Sequence, residues 1–161
     1  MSQNRGKDFE KVIKEAFEKV PDVSVVRLHD QTTGFLGSSN HCDFIVYKKP
    51  YEYHIECKSI HGNTFPLSNI TDNQFKGLLE KSKIKGVIAG VIVWWVDKDV
   101  TKFIPIEIID YMKTMCNKKS VSYDTPRCYP ECYGDIIDIQ GKKKRVFFEY
   151  DMSKFFEEVT V

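Results

Sequence analysis

The feature that most constrains this chain is the run Gly86-Val87-Ile88-Ala89-Gly90-Val91-Ile92-Val93-Trp94-Trp95-Val96, which holds no charged or polar side chain. A membrane-spanning helix needs about 20 such residues, so the run is too short to cross a bilayer. A strand with one wet face would alternate apolar and polar residues, and this one does not. The run therefore predicts a strand buried on both faces, at the middle of a sheet with helices packed over each side. The chain has 161 residues, a length that fits one domain able to bury its own core.

Other elements can be placed around that strand. Phe9, Val12, Ile13, Ala16, Phe17 and Val20 repeat at helical spacing over residues 7–20, and Pro21 ends the pattern. Residues 23–28 are rich in β-branched side chains and read as a strand. Residues 29–41 read as a loop. Residues 42–47 and 52–58 read as two strands joined by a turn at 48–51, a β-hairpin. After a loop at 59–70, Thr71 is a predicted N-cap for a helix running to about Lys83. A short strand at 103–106 and a helix to about Cys116 follow the apolar run. Residues 117–134 read as a surface excursion, 135–150 as two short strands around Gly141, and 153–159 as a last helix. The core order is α-β-β-β-α-β, an α/β fold in a single domain over 1–161, with its core at about 4–110 and a C-terminal extension at 117–161.

The hairpin carries the chemistry. With its turn at 48–51, Tyr47 faces Glu52, Ile45 faces His54 and Asp43 faces Glu56. Directly opposed side chains sit about 4.5–5.5 Å apart at Cβ. Two carboxylates therefore aim at one point, and Lys58, two residues past Glu56, projects from the same face. Opposed like charges are destabilising unless something compensates. A divalent cation of the Mg²⁺ class is the natural compensation, held by one or two carboxylates, waters and phosphate oxygens. Such an ion lowers the pKa of bound water and polarises phosphate, and an adjacent lysine steadies developing charge. The pattern points to phosphodiester hydrolysis; the alternative is a surface ion-pair network. Glu10, bordering the apolar stripe of the first helix, can add a metal or water ligand, or be a solvated helix residue. Gln74, one turn into the helix after the hairpin, can bond a water or phosphate, or be solvated.

Other features narrow the function. Net charge is only +1, which is not the footprint of a protein that coats nucleic acid non-specifically. Lys81, Lys83 and Lys85 form one basic run and Lys142 to Arg145 another; each is a nucleic-acid contact or a solvated helix end or turn. Of the cysteines at 42, 57, 116, 128 and 132, Cys128 and Cys132 form a C-x3-C pair without a second pair, so free thiols are expected. His29, His41, His54 and His61 show no metal-ligand spacing and are expected to be structural or solvated. No phosphate-loop motif is present, which argues against a nucleotide cofactor. The first residues lack an apolar stretch, so the cytoplasm is the expected location.

These residues resemble a known family. Asn4-Arg5-Gly6 with Phe9-Glu10, then Cys42-Asp43, Glu56-Cys57-Lys58-Ser59, Phe65 to Ile70 with Gln74, Ala89-Gly90 and Ile104-Pro105 are similar to the RecU-type Holliday junction resolvases of the PD-(D/E)XK superfamily. The resemblance covers roughly residues 4–110. It implies a restriction-endonuclease-like core with a central mixed sheet flanked by helices. It implies a homodimer that nicks two strands of a four-way DNA junction symmetrically with Mg²⁺ or Mn²⁺. Asp43, Glu56 and Lys58 would be the catalytic core, with Glu10 and Gln74 in support and Glu10 joining Asp43 and Glu56 around the metal. Arg5 and Arg27 would be DNA contacts. The exposed edge of residues 86–106 and the first helix are candidates for the dimer surface. Two departures stand out: Cys42 occupies a position where the family often has Thr, and the stretch 28–41 is short where the family carries a stalk. A small phage-encoded version is one explanation. The readings that compete with a resolvase are a restriction or repair nuclease and a DNA-binding module that does not cut.

Overall fold

A computed structural model of the chain describes residues 5–29, 40–127 and 135–159. In chain order its elements are α1 (Arg5–Glu18), β1 (Ser24–Arg27), β2 (Phe44–Lys48), β3 (Tyr51–Ile60), β4 (Thr64–Pro66), α2 (Asp72–Ser82), β5 (Val87–Trp95), β6 (Val100–Pro105), α3 (Ile106–Thr114), β7 (Ser120–Ser122), β8 (Ile137–Asp138), β9 (Gly141–Lys143), β10 (Phe148–Tyr150) and α4 (Met152–Val159). The main sheet has the order β1-β2-β3-β5-β6-β8. Only β3 and β5 run parallel within it; the other neighbours are antiparallel. A parallel pair needs a long crossover, and α2 with its flanking segments supplies it.

The apolar run forms β5 at the centre of this sheet, as its composition demands. Ile92 and Trp94 face a core built with Phe9, Ile13 and Phe17 of α1 and Phe155 and Phe156 of α4. Val91, Val93 and Trp95 face the opposite core, with Leu78 of α2 and Ile106, Ile109 and Met112 of α3. Alternate side chains thus fill two separate cores, and neither face offers a place for a polar group. Gly90 is required by close packing: a Cβ there would lie 2.5 Å from the Ile104 carbonyl oxygen and 2.6 Å from the Phe103 ring.

The hairpin register is the expected one, with Tyr47 opposite Glu52 and Ile45 opposite His54. Its turn is tighter than expected, because Lys48 and Tyr51 also pair. Both turns give the same register, since pairing is symmetric about the centre of the loop.

Several expectations change. Residues 59–70 are not a plain loop: β4 lies within them and pairs with β7, placing buried Phe65 opposite buried Val121. The excursion beginning at residue 117 is therefore anchored to the body of the fold. A strand of three residues is too short to show periodicity in sequence. Gly141 does not separate two strands but begins β9; the reversal comes at 144–147, where the Lys144 N–H donates to the Phe147 carbonyl at 2.9 Å. The 86–106 segment is not a free edge. β5 is flanked by β3 and β6, and β6 pairs outward with β8 at Lys102 and Phe103. The first helix turns Phe9, Ile13, Ala16 and Phe17 inward. Cys128 and Cys132 and most of the 28–41 stretch fall outside the described residues. Among the described residues no helix is long and apolar enough to cross a membrane.

Because Gly90 sits against backbone rather than a movable side chain, Gly90→Ala should lower stability by about 1–3 kcal/mol. The reading is the midpoint of urea unfolding; an unchanged midpoint would show that β5 and β6 can separate freely.

Candidate active site

Asp43 stands one residue before β2, where the ladder with β3 shifts: in place of the expected pairing with Glu56, its backbone bonds to Ile55, the residue already opposite Phe44. Its N–H donates to the Ile55 carbonyl at 2.9 Å, and its carbonyl accepts from the Leu28 N–H at 2.9 Å. Its backbone is thus held from both sides, by β3 and by the end of β1. One carboxylate oxygen, Oδ2, accepts the Cys57 N–H at 2.8 Å. Glu56 is in the middle of β3, an interior strand, and is 4% exposed. Its Oε2 receives Lys58 Nζ at 3.2 Å and Gln74 Nε2 at 3.0 Å.

Gln74 reaches Glu56 because of how α2 begins. The Thr71 hydroxyl accepts the Gln74 N–H at 3.2 Å, and the Gln74 side-chain oxygen accepts the Thr71 N–H at 3.0 Å. This reciprocal capping box satisfies two N–H groups that a helix start leaves open. It also fixes the amide so that its oxygen faces the cap and its nitrogen faces Glu56. The same local signal that starts the helix therefore aims a donor at the site.

Glu10 of α1 lies at the rim, with Oε2 held by Arg27 at 2.9 Å. Asp43 responds to this setting: burial and then the Glu10 charge push its pKa up to about 7, against the Cys57 N–H, Lys58 and Arg27. Glu56 is pushed up to about 8 by burial and then by Asp43, with Lys58 opposing. Three carboxylates thus gather where Lys58 and Arg27 are the cations acting on Asp43, and the positive charge does not balance the negative. Hard carboxylate oxygens in a site short of positive charge fit a divalent ion of the Mg²⁺ or Mn²⁺ class. Asp43 and Glu56 are the residues that would hold it.

The other expected contacts disperse. Arg5 lies over the Trp94 ring at 6.0 Å from its centroid. Lys81 is exposed on the last turn of α2, and its charge acts on His41. Lys83 and Lys85 are exposed beyond that helix and line a cavity of about 630 Å³ with Tyr51, Pro105 and Glu107. At about 1.5 Å rise per helical residue they begin over a dozen ångströms along from Gln74. In the second basic run, Lys143 pairs with Asp99 at 2.8 Å and Lys144 with Glu149 at 3.2 Å.

Two histidines that show no metal-ligand spacing in the sequence meet each other. His41 Nε2 lies 2.7 Å from His54 Nδ1, and His54 Nε2 lies 2.8 Å from Glu52 Oε2. The Cys42 thiol lies beside them. Linear spacing hid this group, because its members come from the two sides of the hairpin. The signal was in the register: His54 shares a face with Glu56, and His41 and Cys42 lead into Asp43.

The chain thus folds as a mixed sheet flanked by helices, with Asp43 leading into β2 and Glu56 and Lys58 on β3. The family model for Recombination protein U matches residues 4–131, and the chain belongs to that family of Holliday junction resolvases. These are endodeoxyribonucleases, and divalent-metal dependence is general among them. Among solved structures, the chain is similar to Hjc of Archaeoglobus fulgidus, a Holliday junction resolvase from an archaeal hyperthermophile, at 15% identity and a TM-score of 0.48, covering 84% of this chain and 88% of that one. No curated protein sequence matches.

The raised carboxyls make the metal-free protein sensitive to pH. Both groups bind protons more tightly folded than unfolded, so the stability they contribute is full below about 4 and is lost as pH rises through about 7 and about 8. Thermal melts without divalent ions should show Tm falling across that window, and Asp43→Asn should flatten the fall. A metal-free Tm that does not change between those limits would contradict the crowding of charge.

Proposed function

We propose that this protein resolves four-way DNA junctions by paired, symmetric nicks in a Mg²⁺-dependent reaction, acting as a homodimer. The observation that carries the proposal is the buried Glu56 held by Lys58 at 3.2 Å with the Asp43 charge acting on it, both carboxyls being pushed up by burial and by a neighbouring carboxylate. A two-fold dimer presents equal sites to a substrate that is itself two-fold. A DNA substrate of this kind also suits a cytoplasmic location.

In this reading Asp43 and Glu56 hold the ion and Glu10 completes the negative set. A divalent ion held there would supply a lowered pKa for its bound water and polarisation of the phosphate. Lys58 holds the attacking water and stabilises charge that develops on phosphate oxygens. Gln74 keeps Glu56 oriented through its amide nitrogen. Arg27 holds Glu10 in place, and with Arg5, Lys81, Lys83 and Lys85 it supplies contacts to the DNA backbone. Phosphate contacts drive affinity, whereas the carboxylates serve the chemistry.

The decisive assay compares a mobile four-way junction, a linear duplex and a single strand, with and without Mg²⁺. Paired nicks confined to the junction are expected. Cutting of all three would point to a general nuclease, and binding with no cutting under Mg²⁺ or Mn²⁺ to a binding module. Asp43→Asn should abolish cleavage and leave junction binding intact. Lys58→Ala should lower kcat by about 10²–10³-fold, the scale for losing one group that stabilises transition-state charge. An equal loss of metal affinity in Lys58→Ala would show that lysine acts on the ion instead.

A further inference from the structure

We propose that His41, Cys42 and His54 form a second metal site, for a zinc-class ion, separate from the carboxylate site. The nitrogen and sulfur atoms that these residues offer all lie within 4.8 Å of one another. Ligand atoms around one tetrahedral zinc, with bonds of about 2.0–2.3 Å, lie roughly 3.3–3.7 Å apart. To reach that spacing the two imidazole nitrogens, now 2.7 Å apart, must part by about half an ångström, and the widest pair, at most 4.8 Å apart, must close by about one.

Three further observations favour a metal over a simple hydrogen bond. The first is the partner of His54. Its Nε2–H donates to Glu52 Oε2 at 2.8 Å, which fixes the tautomer and turns the Nδ1 lone pair toward His41 and Cys42. A carboxylate behind a ligating histidine is the usual outer support of a zinc ligand, raising its basicity and holding its ring. The second is burial. His54 is 2% exposed and Cys42 3%, so two of the three ligands are already ordered before an ion arrives. The third is the space made for His41. A Cβ at Gly77 would lie 2.3 Å from the His41 Cβ, so the helix packed over this segment leaves room for that imidazole and for nothing more at 77.

The donor set separates this site from its neighbour. Two imidazoles and a thiolate select zinc-class ions, whereas carboxylate oxygens suit Mg²⁺. On binding, the Cys42 S–H proton leaves to solvent as the sulfur–metal bond forms, and His41 binds through Nε2 with its proton on Nδ1. A fourth position remains for water. The ion would tie residues 41 and 42 to the middle of β3. Since Asp43 is the next residue, the tie would also fix the start of β2 beside the carboxylate pair.

The test uses the full chain, stripped with chelator and titrated with Co²⁺ in excess Mg²⁺ so that the carboxylate site is filled. One equivalent of Co²⁺ should produce an intense near-ultraviolet sulfur-to-cobalt charge-transfer band. Cys42→Ser should abolish that band, and His41→Ala and His54→Gln should weaken cobalt binding at least tenfold, while Asp43→Asn keeps the band. Circular dichroism checks that each variant folds. If Cys42→Ser does not fold, His41→Ala decides, because His41 is only half-buried. Absence of the band in the wild-type chain overturns the proposal. So does a band that survives in folded Cys42→Ser, which would place the thiolate elsewhere, and so does unchanged cobalt affinity in His41→Ala.

Discussion

The site rests on an electrostatic conflict: the buried Glu56 carboxyl of β3 feels the charge of Asp43 just before β2, and Asp43 feels that of Glu10, while Lys58 opposes both. Glu56 is buried because β3 lies between β2 and β5. Asp43 is held near it by backbone bonds to Ile55 and Leu28 and by the Cys57 N–H, which donates to its carboxylate. In water such a pair would repel weakly; in a partly desolvated sheet the cost rises steeply, and each group resists ionisation. A protein can support this only if the rest of the fold is stable enough to hold the groups in place. The two aromatic-rich cores on either side of β5 supply that support.

The crossover helix does two tasks with the same residues. A parallel β3–β5 pair demands a long connection, and α2 is that connection. Its N-terminal capping box is a local device, readable in any helix, yet here the capping glutamine is also the donor to Glu56. One turn later, Gly77 lets the helix settle against His41. Helix start, donor placement and close packing over the segment leading into β2 are consequences of one short stretch of sequence.

Residues 41 to 43 place two kinds of donor atom side by side. His41 and Cys42 offer nitrogen and sulfur on the side of His54, and Asp43 offers oxygen on the side of Glu56. On β3 the same division repeats, since His54 and Glu56 are two residues apart and share a face. Glu52, at the start of that face, serves His54. The hairpin therefore carries a row of polar groups that the sheet would otherwise fill with apolar side chains. That concentration of polar side chains on an interior strand is the mark of a site rather than of a core.

The sequence alone determined the central strand, the hairpin register from Phe44 to Lys48 and the shared face of Glu56 and Lys58. All three follow from short-range rules: an apolar run with no polar face, side-chain alternation, and pairing fixed by a turn. It also determined the start of α2, because a cap and its reciprocal glutamine are three residues apart. Tertiary structure alone decided that Arg27 would hold Glu10, that β8 would pair with the outer edge of β6, and that β4 would meet β7. It also decided that two histidines without ligand-like spacing would converge. Those contacts join residues far apart in the chain, or elements too short to show a period. Their geometry is set by how the two cores pack the helices against the sheet, and no local pattern of residues encodes that packing.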